Sequence, residues 1–279
     1  MFKSILAGIL AVAAFNVSSF AQTYLEEPLH FGNNGLYVTT FAPIGRVPSM
    51  RSFTYRYDLE KRVALWVAYP LNEGLIGTGR RSQDWLPDSN LPYEWQPNLT
   101  KGFAYGSGYD RGHQIPSAER LSGISNQQTF VFTNATPQLH DFNGGVWAEL
   151  EKLVRTWAKR SDTLYVVTGI LPGDAFIADN EGAPVNIPSA YYKTVLRRNV
   201  DKHGKLRWSV CSVIMPHKVF SVGTWYENIN FFRRYSLSLS GLEKKTGEKY
   251  FPLLKDIIGE EEYARLKASN PAKESWWWK

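Results

Sequence analysis

The chain has 279 residues, of which 43% are hydrophobic and 21% charged, with 10 Trp, 15 Tyr and 15 Phe. This composition excludes a disordered or fibrous chain and leaves room for one large domain or two small ones around a sizeable core. The net charge is +6, and removing Lys3 with a leader leaves 31 basic against 26 acidic residues; that balance suits a polyanionic partner, but the basic residues are scattered, as on any solvated surface.

In chain order, Met1 to Lys3 give a positive start, Ile5 to Phe15 an apolar run too short to span a bilayer comfortably, and Ser19 and Ala21 small residues before Gln22. The pattern predicts a signal peptide over 1–21, with an uncleaved anchor as the alternative, and hence a secreted or periplasmic protein. No later stretch looks transmembrane. Residues 22–49 carry Gly, Pro and Asn without a clear period and read as a leader segment. Val63 to Tyr69 predicts a strand ended by Pro70, and 71–112, rich in Gly, Pro, Asn and Asp, predicts long loops that could carry function.

Thr129 to Thr133 reads as a short strand and Asn134 to Gln138 as a polar turn. A helix follows, with Asn143 as its cap and Gly144 and Gly145 in its first turn. Its apolar stripe is Val146, Trp147, Leu150, Leu153, Val154 and Trp157. Further strands are predicted over 163–168, 190–196 and 208–215, and one or two short helices within 245–267. Cys211, the only cysteine, cannot form an internal disulfide and reads as a small buried hydrophobe. These elements predict one α+β domain over 50–265 and a tail over 266–279. Trp276 to Trp278 in that tail read as packed onto the domain, with membrane or partner docking as the alternative.

The stretch Gly106-Ser-Gly-Tyr-Asp-Arg-Gly-His113 places an acid, a base and a histidine between turn residues, where side chains can reach a cleft. With Asn134, Asn143, Glu151 and Arg155 it makes a set holding a general base, amides, a carboxylate and a guanidinium. The set lacks the nitrogen and sulfur ligands of a catalytic zinc site, and no Gly-x-Ser-x-Gly elbow is present. Amide oxygen, waters and a carboxylate suit a hard ion such as Mg²⁺. Taken singly, each residue has a plainer reading. His113 could be a loop histidine, Asn143 only a cap, and Glu151 with Arg155 a surface pair worth a few tenths of a kcal/mol. His140, Asp141 and His217 read as structural or surface groups, and Asp174 and Asp179 carry no assigned chemistry.

Asp110-Arg-Gly-His113 with Pro116 resembles the DRGH signature of the DNA/RNA non-specific endonucleases, the ββα-metal nucleases that include endonuclease G. The likeness continues in family order through Thr133-Asn-Ala-Thr-Pro-Gln138, Asn143-Gly-Gly-Val-Trp147 and Leu150-Glu151. Upstream it includes Tyr57 to Tyr69, and downstream Val166 to Gly169 and Pro188 to Lys193, covering residues 50 to about 255. The resemblance implies a mainly antiparallel β-sheet core with a ββα-metal motif and flanking helices. It implies His113 as general base and Asn143 as the direct protein ligand of Mg²⁺, with Mn²⁺ as the alternative ion. Glu151 would hold a metal-bound water, Arg155 would lie near the scissile phosphate, and Asn134 would belong to the active site. Arg111 completes the signature. One departure stands out: Trp85-Leu-Pro-Asp88 lacks the arginine the family has upstream between an aromatic and an acid, so either Arg80 or Arg81 reaches the phosphate from a shifted position or the phosphate grip is weakened, which keeps a binder without turnover open. DNA and RNA are the implied partners, cut to 5′-phosphate ends, with no stable membrane association after signal removal; oligomeric state is open. A nucleic-acid binder without turnover and a phosphodiesterase with a non-nucleic substrate are the alternatives.

Overall fold

The computed structural model describes residues 24–30, 35–44, 47–104, 106–221, 223 and 225–279; the predicted signal segment 1–21 lies outside them. The strands are β1 (Leu29–His30), β2 (Leu36–Ile44), β3 (Val47–Asp58), β4 (Val63–Leu71), β5 (Tyr109–His113), β6 (Ala135–Leu139), β7 (Thr163–Ala178), β8 (Pro184–Val200), β9 (Leu206–Pro216), β10 (Ser236–Leu237) and β11 (Glu248–Lys249). The α-helices are α1 (Glu73–Ile76), α2 (Gly123–Gln127), α3 (Ala148–Ala158), α4 (Trp225–Tyr235), α5 (Leu239–Thr246), α6 (Leu254–Ile258) and α7 (Glu260–Ala268).

Seven strands form one antiparallel sheet in the order β10-β9-β8-β7-β4-β3-β2. Strand β4 lies between β3 and β7, with both of its faces covered, so it reads as a continuous apolar run rather than an alternating one. One sheet face carries Val67, Tyr69, Val166, Tyr191 and Val195 against Leu150, Leu153, Val154 and Trp157 of α3. The other carries Trp66, Ala68, Val167, Leu196 and Val210 against Leu239 and Leu242 of α5, Leu254 of α6 and Tyr263 and Leu266 of α7. The result is an α+β fold with helices on both faces of an antiparallel sheet. Strands β5 and β6 pair with each other as a separate ribbon, and with α3 they make a ββα unit over the first core.

Several local expectations change. Strand β4 continues through Pro70 because the β3 ladder stops at Ala68 while β7 still pairs with Pro70 and Leu71, so the missing N–H interrupts no second ladder. Residues 129–133 are not a strand. Thr129 Oγ1 bonds Asn126 O at 2.7 Å and Asn134 Nδ2 takes Thr129 O at 2.8 Å, a local network that replaces a ladder with two 3₁₀ turns. The strand is instead Ala135–Leu139, in the predicted turn; its Pro137 is tolerated in a two-stranded ribbon. The supposed leader contributes β2, paired along β3, so the sheet begins well before residue 50. Downstream strands reach to Ala178, Val200 and Pro216. Cys211 is a free, buried thiol in β9. Among the described residues no helix is long and apolar enough to cross a membrane.

Candidate active site

Gly106 and Gly108, both at φ +78°, turn the chain into β5 with a backbone that L side chains rarely adopt. Along β5, Gly112 faces Gln138 of β6 so closely that a Cβ would overlap the glutamine's own Cβ and Oε1. This contact lets the ribbon close and places His113 at its end. The imidazole lies 4.6 Å from the Trp85 ring and 4.8 Å from Phe130, centroid to centroid, and its Nε2 is buried without a hydrogen-bond partner. Burial, then Arg81 and Arg111, push the His113 pKa down to about 3. The pocket thus holds the ring well below the ordinary histidine value of 6.5, and it is neutral across the physiological range.

Asn134 is not at the reacting centre. Its side chain is buried, accepts from Ile115 N at 3.0 Å and donates to Ile115 O at 3.0 Å and Thr129 O at 2.8 Å. Every one of those bonds is to backbone, so Asn134 pins the segment that follows His113 and is a positioning residue. Asn143 also departs from expectation. It sits inside a π-helical turn, Phe142–Trp147, that precedes α3, and it caps nothing; Asp110 accepts its Nδ2 at 2.9 Å. Because a carboxylate takes the nitrogen, the amide oxygen is the end left for a ligand. Asp110 also accepts from His140 Nδ1 at 3.0 Å, which raises the His140 pKa. His217 is structural, its ring joining Leu139 N and Pro188 O.

One turn into α3 the stripe predicted from periodicity faces the core, and Glu151 and Arg155 face the cavity from its flank. They are not a simple surface pair. The acid nearest Arg155 is Glu119, whose Oε1 lies 3.9 Å from Nη1. Glu119 is fully buried, and neither of its oxygens has a hydrogen-bond partner. Lys193 of β8 is buried too, donating to Thr168 Oγ1 at 2.6 Å over the face of Trp147. Burial pushes the Glu151 carboxyl up to about 7 and Glu119 adds to this, while Lys193, Arg155 and Arg81 oppose it.

A cavity of about 530 Å³ collects His113, Asn143, Glu151, Arg155, Arg111, Arg81, Asp110 and Lys101. Of the two upstream arginines only Arg81 lines it, its guanidinium 5.3 Å from the Phe130 ring. Arg80 does not line it, while the segment just beyond is anchored by Asn126 Oδ1, which accepts from Ser82 N at 2.6 Å. Arg111 is partly committed inside the protein, donating to Leu99 O at 2.7 Å and Thr100 O at 3.0 Å, 5.2 Å from the Trp85 ring. Asp88 is an internal anchor for Tyr55 and Thr133, both at 2.6 Å. Sequence reasoning missed Glu119, Lys193 and Lys101, each from a separate segment. Only the two flanking motifs hinted at the first two.

No group of three or more His, Cys, Asp or Glu that could cage a metal exists among the described residues. The donors that do converge, the Asn143 amide oxygen and the Glu151 carboxylate, suit a hard divalent cation that keeps most of its water. Three guanidiniums and Lys101 around them favour a substrate bearing phosphate.

The DNA/RNA non-specific endonuclease family profile matches residues 32–257, starting upstream of the predicted boundary at 50, in keeping with β2. A nuclease of Nostoc sp. is 31% identical over 225 residues, 78% of this chain and 78% of that protein. Mitochondrial endonuclease G of Bos taurus is 34% identical over 185 residues, 62% of this chain and 60% of its own length. A solved complex of EndoG with EndoGI shares the fold, with a TM-score of 0.58 and 24% identity over 76% of this chain and 87% of that one.

Proposed function

Since the chain belongs to the DNA/RNA non-specific endonucleases, hydrolases of phosphodiester bonds, we propose that it is an exported, Mg²⁺-dependent enzyme that cuts DNA and RNA to 5′-phosphate ends. The observation that carries the proposal is the convergence of His113, Asn143, Glu151 and Arg155 on one cation-walled cavity. In this reading His113 is the general base. Its neutral ring accepts a proton from the water that attacks phosphorus in line. An entering phosphodiester sets negative charge against Arg81 and Arg111, which raises the ring's proton affinity when the proton moves. Arg155 and Arg81 supply oriented positive charge for the phosphoryl oxygens. Asn143, directed by Asp110, would hold the ion directly, and Glu151 would hold it through a water. Mg²⁺, or Mn²⁺ in its place, would supply positive charge against the negative charge that builds on the phosphoryl group, and a water would give its proton to the departing 3′-oxygen. Contacts restricted to phosphate and sugar give weak sequence preference.

In this reading Arg81, on the cavity wall, takes the part of the arginine that the 85–88 segment lacks, which weighs against an inactive binder. The test is incubation of the protein and of His113→Ala with circular DNA, linear DNA and RNA, in Mg²⁺ and in EDTA. Cleavage that needs both the ion and His113 is expected. Cleavage by His113→Ala at the parent rate overturns the assignment of the base, and salt-sensitive binding with no cleavage by the parent overturns turnover itself. For export, N-terminal sequencing of the protein recovered outside the cytoplasm should begin at Gln22.

A further inference from the structure

Strands β7 and β8 run well past the rest of the sheet. Strand β4 pairs with β7 only as far as Gly169, opposite Trp66, yet β7 and β8 stay paired to Ala178 and Pro184. The tip of this arm, 179–183, closes on the loop 98–103 rather than on the core. Asp179 accepts Asn98 N at 3.0 Å and pairs with Arg62 at 3.0 Å. Asn180 accepts Lys101 N at 2.8 Å and donates to Gly102 O at 2.7 Å, and Asn180 N donates to Asn98 O at 3.0 Å. From the other side Arg111 holds the carbonyls of Leu99 and Thr100. The loop closes on itself as a turn, with Gly102 N on Leu99 O at 3.0 Å and Gly102 at φ +77°. Such a loop is braced at both ends, and it brings Lys101, Gly102 and Phe103 to the cavity, where Lys101 is the exposed, charged member. Fixing the backbone of an exposed lysine from a distant hairpin costs conformational entropy that the lysine's own packing does not offset.

We propose that Lys101 is a substrate-contacting residue that grips a backbone phosphate next to the scissile one, and that the β7–β8 tip, through Asn180, is the positioning element that aims it. The inference rests on the nuclease reading, because the grip needs a polyanion. A lysine acts as a point charge for phosphate, so it adds affinity without sequence selection.

The test is the salt dependence of binding to a short DNA duplex in EDTA, in the His113→Ala background, with and without Lys101→Gln, Lys101→Arg and Asn180→Ala. Each lost phosphate contact lowers the slope of log Kd against log salt by about one. Lys101→Gln should lower it by that amount and weaken binding several-fold, and Lys101→Arg should restore it. In the His113 protein, Asn180→Ala should raise KM several-fold with kcat unchanged, since it removes aim and not charge. A melting temperature equal to the parent's excludes general damage in each variant. A parent that cleaves while Lys101→Gln keeps the full slope overturns this inference alone. A parent that neither binds nor cleaves nucleic acid overturns it together with the nuclease reading.

Discussion

Glu151 shows how a single carboxyl ties stability to the site. Its folded pKa, about 7, lies above the ordinary 4.5, so the folded protein holds that proton more tightly than the unfolded chain. The resulting contribution is complete below about pH 4.5 and is lost as pH rises through about 7. Glu151→Gln, which cannot ionise, should match the parent in metal-free unfolding at low pH. At pH 8 it should exceed the parent by on the order of 3 kcal/mol. Urea melts across that range read the difference directly, and a gap that does not change with pH would sink the argument. Asp110 supports a second prediction at this scale. It directs the Asn143 amide by accepting its Nδ2, so Asp110→Ala frees that amide to rotate. The Mg²⁺ concentration for half-maximal cleavage should rise about 10-fold or more, as is usual when the partner of a ligand is removed. The rate at saturating Mg²⁺ should fall less; equal Mg²⁺ titration curves for variant and parent would show that Asp110 does not orient the ligand.

The ββα unit depends on the closeness of β5 to β6 more than on the propensity of either. Gly112 has an ordinary φ, so its requirement is spatial: a methyl group there overlaps the Cβ of buried Gln138, which cannot swing away as a side-chain end could. Gly112→Ala should therefore cost about 3 kcal/mol and displace His113, with cleavage falling further than the melting temperature suggests. Circular-dichroism melts beside plasmid assays check both, and a variant as stable and active as the parent would show that the ribbon is looser than its geometry implies. The elements legible in the sequence were those whose burial is periodic or continuous: α3, with one stripe on the core, and β4, apolar along its whole length. Strand β6 was not legible, because Ala135 to Gln138 are buried by tertiary contacts while the segment reads as a turn. The site divides in the same way. His113, Asn143, Glu151 and Arg155 lie in two motifs and line one cavity. The choice of Arg81 over Arg80, the inward turn of Asn134, and the arrival of Glu119 and Lys193 depend on packing between segments far apart in the chain, which spacing cannot express.

Across the whole molecule, the far end of the chain packs against the helix that carries the site. Trp157, on the core side of α3, has its Nε1 on Trp277 O at 2.9 Å and the Trp277 ring 4.7 Å away, edge to face. Trp276 and Trp278 complete the surround at 6.5 and 6.2 Å; Arg197 of β8 lies 3.7 Å from the Trp276 ring, and Trp278 Nε1 donates to Pro271 O at 2.7 Å. Trp277 is wholly buried. The tail thus braces α3 against the sheet from behind, while Glu151 and Arg155 project from the same helix into the cavity. Trp277→Ala should cost about 3–5 kcal/mol, as for any buried tryptophan truncated to alanine. Deleting 276–279 should cost at least as much, because Trp157 then loses its partner for both ring and N–H. If the tail acts only as a brace, the truncated protein keeps its cleavage rate within a few-fold at low temperature and loses it at a temperature lowered in step with its unfolding. Were the tryptophans instead an anchor for a membrane or another protein, truncation would leave the melting temperature where it was. Differential scanning calorimetry with cleavage assays at matched temperatures separates the two, and the burial of Trp277 predicts the first.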